Sequence, residues 1–143
     1  MNVSAILDTK GREVATVGRD ATIAEALAIL AERRIGALVV TGAHPPFAGI
    51  FSERDAVRAL AAGGPGALED PVAAHMSSEV SVCAESTDLL VVLATMTERR
   101  FRHVPVVEGG QLVGLVSIGD VVKARLDQLE SEKRDLLEYV SAR

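Results

Sequence analysis

Apolar positions along the chain follow two spacings, one typical of helices and one typical of strands. Residues 23–30 and 89–96 place apolar side chains three and four apart, so both segments predict amphipathic helices. Residues 37–40 and 103–107 are instead runs of mostly β-branched residues, which predict strands. The chain is therefore expected to mix α-helices with β-strands.

The same order of elements occurs twice. Each half begins with a predicted short strand, at residues 14–17 and 80–83, and continues into a helix whose start is marked by Asp20 or Ser86. Two strands and a last helix complete each half as a β-α-β-β-α unit. A unit of about 60 residues leaves much apolar surface exposed. We therefore predict an α+β fold in which two repeats pack sheet to sheet about a pseudo-twofold axis.

These repeats set the predicted boundaries. The first repeat covers residues 1–62, a Gly/Pro-rich linker covers 63–71, the second repeat covers 72–126, and a helical extension covers 127–143.

The extension carries a heptad pattern of apolar residues. Its seam consists of Val122, Leu126, Leu129, Leu136 and Val140, with Lys133 at the remaining position. Two interpretations stay open. The helix lies on its own domain, or it contacts a second subunit in a homodimer.

Composition excludes several classes of function. The net charge of −5 disfavours binding to nucleic acid, which requires a basic face. A lone Cys83 and three scattered histidines, one of them His103, predict no metal site. No apolar run reaches the roughly 18 residues of a membrane span, and no signal pattern opens the chain. We therefore expect no membrane partner and a cytoplasmic location.

A Gly-x-x-Ser-x-x-Asp motif ends each repeat, at residues 49–55 and 114–120. One interpretation is a capping box that only stabilises the following helix. Aspartate is one methylene shorter than the usual glutamate, and each glycine lies in a strand, where it allows another group to approach the backbone. These features favour a second interpretation, in which Asp55 and Asp120 accept hydrogen bonds from ribose hydroxyls.

Cations and small residues near the motifs complete a candidate nucleotide site. Phosphate would be met by Arg54, by Lys10 and by the Arg-rich segment 99–103. That segment also suits a solvated helix end, where cations favour the dipole. Adenine would need an apolar slot, which residues 35–37 and Phe101 can line.

The doubled motif, together with ERRIGALVV at 32–40, ERRFRHVPVV at 98–107 and SERDAVRAL at 52–60, resembles the cystathionine β-synthase (CBS) domain family. The resemblance covers nearly all of residues 1–126 and implies a tandem pair, called a Bateman module. In that family, clefts between the repeats bind adenosine ligands such as AMP, ADP, ATP, NAD or S-adenosylmethionine, and binding regulates another activity. Such modules also commonly form dimers.

The resemblance implies which residues would line two clefts. One cleft would join Lys10, Ala15, Ile35, Gly36 and Ala37 of the first repeat to Ser117 and Asp120, with Arg102 or His103 near phosphate. The other would join Ser52, Arg54 and Asp55 to Met76, Ser81, Phe101, Arg102 and His103 of the second repeat.

We therefore predict a non-catalytic sensor of an adenine nucleotide that acts on an effector protein. AMP is favoured over ATP, ADP and NAD(H) because few cations are expected around the ligand. A structural dimerisation module without a ligand is one alternative. A nucleotide-processing enzyme is another, but Ser52 and Ser117 lack a histidine base in the local sequence.

Overall fold

The computed structural model describes residues 1–42 and 44–142, which form five α-helices and five β-strands. Ala43 of the first repeat and Arg143 at the end of the predicted extension lie outside this description. The elements are α1 (Val3–Lys10), β1 (Thr16–Gly18), α2 (Ile23–Arg33), β2 (Ala37–Thr41), β3 (Gly49–Ser52), α3 (Glu53–Gly63), α4 (Leu89–Arg99), β4 (His103–Glu108), β5 (Gln111–Ser117) and α5 (Ile118–Ser141). Two short 3-10 helices, Gly64–Glu69 and Val72–Ala74, connect α3 to the second repeat. The predicted α+β fold is confirmed.

The first repeat contains a three-stranded sheet with β2 at its centre. Strand β1 pairs parallel to β2, and β3 pairs antiparallel to it, with Val39 opposite both Thr16 and Ile50. Residues 37–40 are all buried. This central position explains why β2 is a continuous apolar run, without the alternation of a strand that has one wet face.

The second repeat contains only two strands, so the prediction of a strand at residues 80–83 is wrong. Strands β4 and β5 pair antiparallel, and Cys83 forms a single parallel bridge with Val106. In the first repeat, the N–H of Val39 donates to the carbonyl oxygen of Ala15 at 3.1 Å. The segments ERRIGALVV at 32–40 and ERRFRHVPVV at 98–107 are offset by 66 residues, so Pro105 is the counterpart of Val39. Because proline has no N–H, the equivalent bond to Ser81 cannot form, and the pairing of residues 80–83 with β4 is reduced to the bridge at Cys83.

Helices α2 and α4 begin two residues later than predicted. Thr22 is the N-cap of α2, where its Oγ1 accepts a hydrogen bond from the N–H of Glu25 at 3.1 Å. Asp88 is the N-cap of α4, where its carboxylate accepts from the N–H of Leu90 at 3.0 Å. Asp20 and Ser86 lie in the turns that precede these caps.

Helix α1, which the sequence analysis did not predict, belongs to the core of the second repeat. Its Val3, Ile6 and Leu7 are buried in one cluster with residues of α4, β4 and β5. A second cluster fills the first repeat, with Phe51 completely buried in it. Burial of an aliphatic side chain contributes about 1.5–3 kcal/mol. Docking of α1 therefore contributes on the order of 5 kcal/mol to the second repeat.

Both motif glycines permit the close approach that their position in a strand predicted. A Cβ on Gly49 would lie 2.5 Å from the carbonyl oxygen of Ser77. A Cβ on Gly114 would lie 2.8 Å from Cδ2 of Leu7. The approaching groups belong to the chain itself, because Ser77 forms an antiparallel bridge with Ile50 of β3 and α1 packs on β5. Each glycine thus lets the segment that opens the other repeat pack closely against its strand.

Candidate functional site

A cleft of about 1170 Å³ is lined by residues of both repeats. Thirteen of the fifteen predicted site residues line it: Lys10, Ala15, Ile35, Gly36, Ala37, Ser52, Arg54, Asp55, Phe101, Arg102, His103, Ser117 and Asp120. Both predicted groups of residues line this one cavity, and their division into two binding sites stays a prediction. Met76 and Ser81 do not line it. The Met76 side chain packs beside Gly49 and against the core of the first repeat.

The starts of β2 and β4 meet at this cleft. The ring of His103 lies 3.7 Å from the position that a Cβ on Gly36 would take. The His103 imidazole therefore sits across the first residues of the opposite repeat. Burial lowers the pKa of His103 from 6.5, and the positive charges of Lys10 and Arg102 lower it further, while Asp120 opposes them. The imidazole is consequently neutral at pH 7.

Asp120 is both a helix cap and a member of an ion pair. Its Oδ2 accepts hydrogen bonds from the N–H of Ser117 at 2.8 Å and from Nζ of Lys10 at 2.5 Å. Lys10 also donates to the carbonyl oxygen of Leu115 at 2.7 Å. Burial raises the pKa of Asp120, but the Lys10 and Ser117 interactions outweigh it and hold that pKa below its ordinary 3.8. Lys10 thus ties the end of α1 to the start of α5.

Asp55 occupies the equivalent position in the first repeat, but with neutral partners. Its Oδ2 accepts from the N–H of Ser52 at 2.9 Å and from its Oγ at 3.1 Å. The Oγ of Ser77 donates to the other carboxylate oxygen, Oδ1, at 3.3 Å. Only 7% of Asp55 is exposed. A serine hydroxyl therefore holds Asp55, whereas an ammonium group holds Asp120.

These bonds correct the argument that aspartate is too short for a capping box. Ser52 with Asp55, and Ser117 with Asp120, each form both reciprocal bonds of the box. The capping function is thus real at both motifs. It does not fill the cleft, and Oδ1 of Asp120 accepts no hydrogen bond from the part of the chain that the structure describes. Binding of ribose by these carboxylates stays a prediction.

The cleft is electropositive although the chain is acidic. Eight Lys or Arg side chains line it against five carboxylates, an excess of three positive charges, whereas the whole chain has a net charge of −5. Within residues 1–42 and 44–142, seven of these cations form no ion pair or side-chain hydrogen bond. They are Arg33, Arg34, Arg54, Arg58, Arg99, Arg100 and Arg102. The sequence analysis anticipated Arg54 and the arginines of segment 99–103, but not Arg33, Arg34 and Arg58.

Arg34 and Arg100 have a backbone conformation that arginine rarely adopts. They are the C-caps of α2 and α4, with φ of 54° and 58° in the left-handed region. Glycine is the usual residue there, because a Cβ costs roughly 1–2 kcal/mol in this conformation. The two positions correspond under the repeat offset of 66. Arginine thus occurs twice where the backbone favours glycine, and both side chains line the cleft.

A smaller recess of about 500 Å³ opens beside the cleft. It shares Arg34, Ile35, Gly36 and Glu53 with the cleft and adds three apolar residues of α2, which are Leu27, Leu30 and Ala31. The sequence analysis did not include these three residues in its apolar slot. Their signal was present as the helical spacing of α2, which marks them as one face without indicating that part of the face stays open.

The described residues offer no comparable support for a reactive thiol, a metal site or a membrane-spanning helix. Burial raises the pKa of Cys83 to about 11, with a contribution from Glu108, so the thiol is protonated and unreactive at pH 7. Across the described residues, no three His, Cys, Asp or Glu side chains are grouped as a metal site would require. No helix in the same part of the chain has a stretch long and apolar enough to cross a membrane.

The fold defines a tandem-repeat α+β module with an open, electropositive cleft between its repeats. Residues 3–62 and 72–127 each match the CBS domain, so the chain belongs to the CBS domain family.

Known proteins share this architecture. A CBS-domain containing protein from Agrobacterium tumefaciens has 47% identity and a TM-score of 0.84, over 87% of this chain and 99% of that one. A CBS domain protein from Pyrobaculum aerophilum, crystallised with AMP, has 32% identity and a TM-score of 0.74, over 84% of this chain and 89% of that one. A 17.7 kDa protein of Acidianus ambivalens is 36% identical over 126 residues, which cover 87% of this chain and 73% of the relative.

Proposed function

We propose that the chain is a regulatory module that binds an adenine nucleotide in the cleft between its repeats. The charge of the cleft carries the proposal, because seven unpaired arginines surround it in a protein of net charge −5. Guanidinium groups bind phosphate through paired, charge-assisted hydrogen bonds. The AMP complex of the Pyrobaculum relative supports the same class of ligand.

The charge of the cleft also bears on which ligand binds. S-adenosylmethionine carries a sulfonium cation, which three excess positive charges disfavour. AMP was favoured because few cations were expected, but the cleft contains eight. That argument is therefore withdrawn. AMP remains the first ligand to test, with ADP, ATP and NAD(H) beside it.

Each part of a nucleotide has a candidate partner. The free Oδ1 of Asp120 is available for a ribose hydroxyl, while both oxygens of Asp55 already accept hydrogen bonds. Arg100 and Arg102 are candidates for phosphate, and the recess beside Ile35 suits an apolar adenine ring. The Asp120 end of the cleft is thus the proposed first site.

Regulation would follow from the position of Lys10. A ribose hydroxyl at Oδ1 of Asp120 would share the carboxylate whose Oδ2 holds Lys10, and α1 carries Lys10 at its last residue. Binding would therefore bias the position of α1 by the difference in ligand affinity between the two arrangements. We further propose that a homodimer transmits this bias to an effector protein, and we keep a cytoplasmic location as a prediction.

We propose that the module does not catalyse a reaction. Each motif serine is bonded to its own aspartate, and His103 bonds neither serine among the described residues. A nucleophile activated by a base requires such a bond. Chromatography of AMP and ATP after prolonged incubation with the protein tests this point, and turnover would contradict it.

Calorimetric titration with AMP, ADP, ATP and S-adenosylmethionine tests the binding proposal. We expect at least one phosphate-bearing ligand to bind and Arg100→Ala to weaken it roughly fivefold, since loss of a nearby charge costs about 1 kcal/mol. Arg19→Ala is the matched control, because Arg19 is exposed, lies outside the cleft and removes the same charge. Absence of binding by every nucleotide would favour the ligand-free dimerisation module. Equal weakening by Arg19→Ala would reduce the effect to net charge.

A further inference from the structure

The two motif carboxylates differ in how far a ligand can reach them. Asp55 is buried and both of its oxygens accept hydrogen bonds, whereas Asp120 is only half-buried. Within the described part of the chain, Oδ1 of Asp120 accepts no hydrogen bond. The corresponding oxygen of Asp55 accepts one at 3.3 Å, from the hydroxyl of Ser77. A single serine hydroxyl thus occupies the position that a ligand hydroxyl would need at Asp55.

The backbone of Ser77 is fixed on β3. The N–H of Ser77 donates to the carbonyl oxygen of Ile50 at 2.8 Å, and the N–H of Ile50 donates to the carbonyl oxygen of Ser77 at 2.9 Å. A Cβ on Gly49 would lie 2.5 Å from that same Ser77 carbonyl oxygen, so the segment lies directly on the strand. Ser77 also lines the cleft. Oδ1 of Asp55 therefore becomes free when the Ser77 side chain rotates, without movement of its backbone.

The counterpart of Ser77 at the other end of the cleft is a glycine. The offset of 66 residues relates Glu-Val at 13–14 to Glu-Val at 79–80, and so relates Gly11 to Ser77. Gly11 has no hydroxyl to donate, and its φ of 101° lies in the left-handed region that favours glycine. The lysine before it binds Asp120 through Oδ2 instead. Each segment that opens a repeat thus contacts a motif carboxylate of the other repeat, but only one of the two segments leaves Oδ1 open.

We propose that Ser77 is a specificity-determining residue, whose hydroxyl replaces a ribose hydroxyl at Asp55 and so directs the ribose of the nucleotide to Asp120. The inference rests on the proposed binding of a nucleotide in the cleft. Serine and ribose hydroxyls donate the same kind of hydrogen bond, so a ribose at Asp55 exchanges one bond for another and gains none. Ribose binding at Asp55 is therefore at least fivefold weaker than at Asp120, the ratio that a hydrogen bond of about 1 kcal/mol produces.

Calorimetric titration with AMP measures binding at the two ends. We expect the parent to bind one AMP per chain, with any second AMP bound at least fivefold more weakly. Ser77→Ala should strengthen the second binding event roughly fivefold and leave the first unchanged. Ser78→Ala is the matched control, because Ser78 is exposed and lies outside the cleft. Two equal events in the parent would overturn the proposal, and so would a gain that Ser78→Ala reproduces.

A nucleotide without ribose hydroxyls tests whether the gain arises at Asp55. With 2′,3′-dideoxy-AMP, Ser77→Ala should gain no affinity, because this ligand has no hydroxyl to donate to Oδ1 of Asp55. An equal gain with AMP and with the dideoxy ligand would mean that Ser77 acts through its size, which overturns the proposal. Ser77→Thr keeps the hydroxyl and should retain the dissociation constants of the parent. A threonine variant that binds AMP as Ser77→Ala does would also refute it.

The outcomes separate this inference from the proposed function. Failure of the parent to bind either AMP or ATP would overturn both. Binding of AMP that does not respond to Ser77→Ala would overturn this inference alone. If Ser77 only stabilises α3 through Asp55, Ser77→Ala lowers the melting temperature and leaves the second dissociation constant unchanged, and that result also counts against the proposal. Circular dichroism of each variant establishes that it is folded before titration.

Discussion

Replacing Arg34 and Arg100 by glycine is expected to stabilise the fold and weaken anion binding at the same time. Both residues adopt left-handed backbone conformations, and both side chains line the cleft without a partner in the described chain. The backbone conformation at each position thus favours glycine, whereas binding of an anion favours the arginine side chain. A purely structural C-cap and a ligand-binding arginine predict different results for the same substitution.

The stability change follows from three opposing contributions. Relief of the left-handed strain gains roughly 1–2 kcal/mol at each site. The greater freedom of glycine in the unfolded chain removes about 0.5–1 kcal/mol. Loss of a cation at a helix C-terminus removes about 0.3 kcal/mol at an exposed position. The net gain is about 0.5 kcal/mol per site, and the double variant should melt roughly 2–4 °C higher.

The binding change has the opposite sign. Removing one unpaired charge near a phosphate costs about 1 kcal/mol, which is a fivefold loss of affinity per arginine. Thermal unfolding of the ligand-free protein measures the first effect, and titration with ATP or AMP measures the second. Arg34→Lys keeps both the charge and the strained backbone, so it should leave the melting temperature unchanged and retain most of the affinity.

Two results would refute this reasoning. A lower melting temperature in both glycine variants would mean that the arginines contribute contacts that outweigh the backbone strain. An unchanged dissociation constant in the double variant, titrated until the ligand saturates the protein, would show that the two arginines do not contact the ligand. Arg19→Ala is again the control, because it removes one positive charge outside the cleft and so measures the effect of net charge alone on affinity.

The structure supports three further predictions. Gly49→Ala should unfold the protein at lower denaturant than Gly114→Ala in urea titrations, because the first clashes with backbone at 2.5 Å and the second with a leucine side chain of α1. The pKa of Asp120 is depressed, so its stabilisation is present above pH 3.8 and is lost as pH falls; unfolding of Lys10→Met should show a shallower loss in that range. The pKa of His103 is also lowered, so stability should fall as pH drops below 6.5, and His103→Gln should flatten that slope; an unchanged slope in either variant would contradict the assignment.

The sequence predicted the repeats and the motif glycines because both leave periodic signals. Helical spacing in α2 and α4, and the β-branched run of β2, follow from burial of one face or of a whole strand. The absence of a strand before Cys83 also leaves a signal in the sequence. Pro105 occupies the position at which Val39 of the first repeat donates a hydrogen bond, and proline has no N–H to donate. That inference required the strand pairing, which the sequence did not show.

The packing of α1 and the single cavity that both groups of site residues share could not be predicted from the sequence, for a different reason. The apolar residues of α1 are few, and the core that receives them is built about 80 residues later in the chain. Likewise, Lys10 and Ser77 are ordinary polar residues until the fold places them on Asp120 and Asp55. The pairing of distant segments decides both features, and local periodicity carries no information about it.

The position of α1 means that the two repeats are not separable pieces. A protein cut within residues 64–71 would leave the amino-terminal fragment carrying the helix that completes the interior of the other fragment. The halves should consequently stay associated after nicking and should reassemble when expressed as two polypeptides. An isolated carboxy-terminal half would lack part of its own interior from the moment of its synthesis.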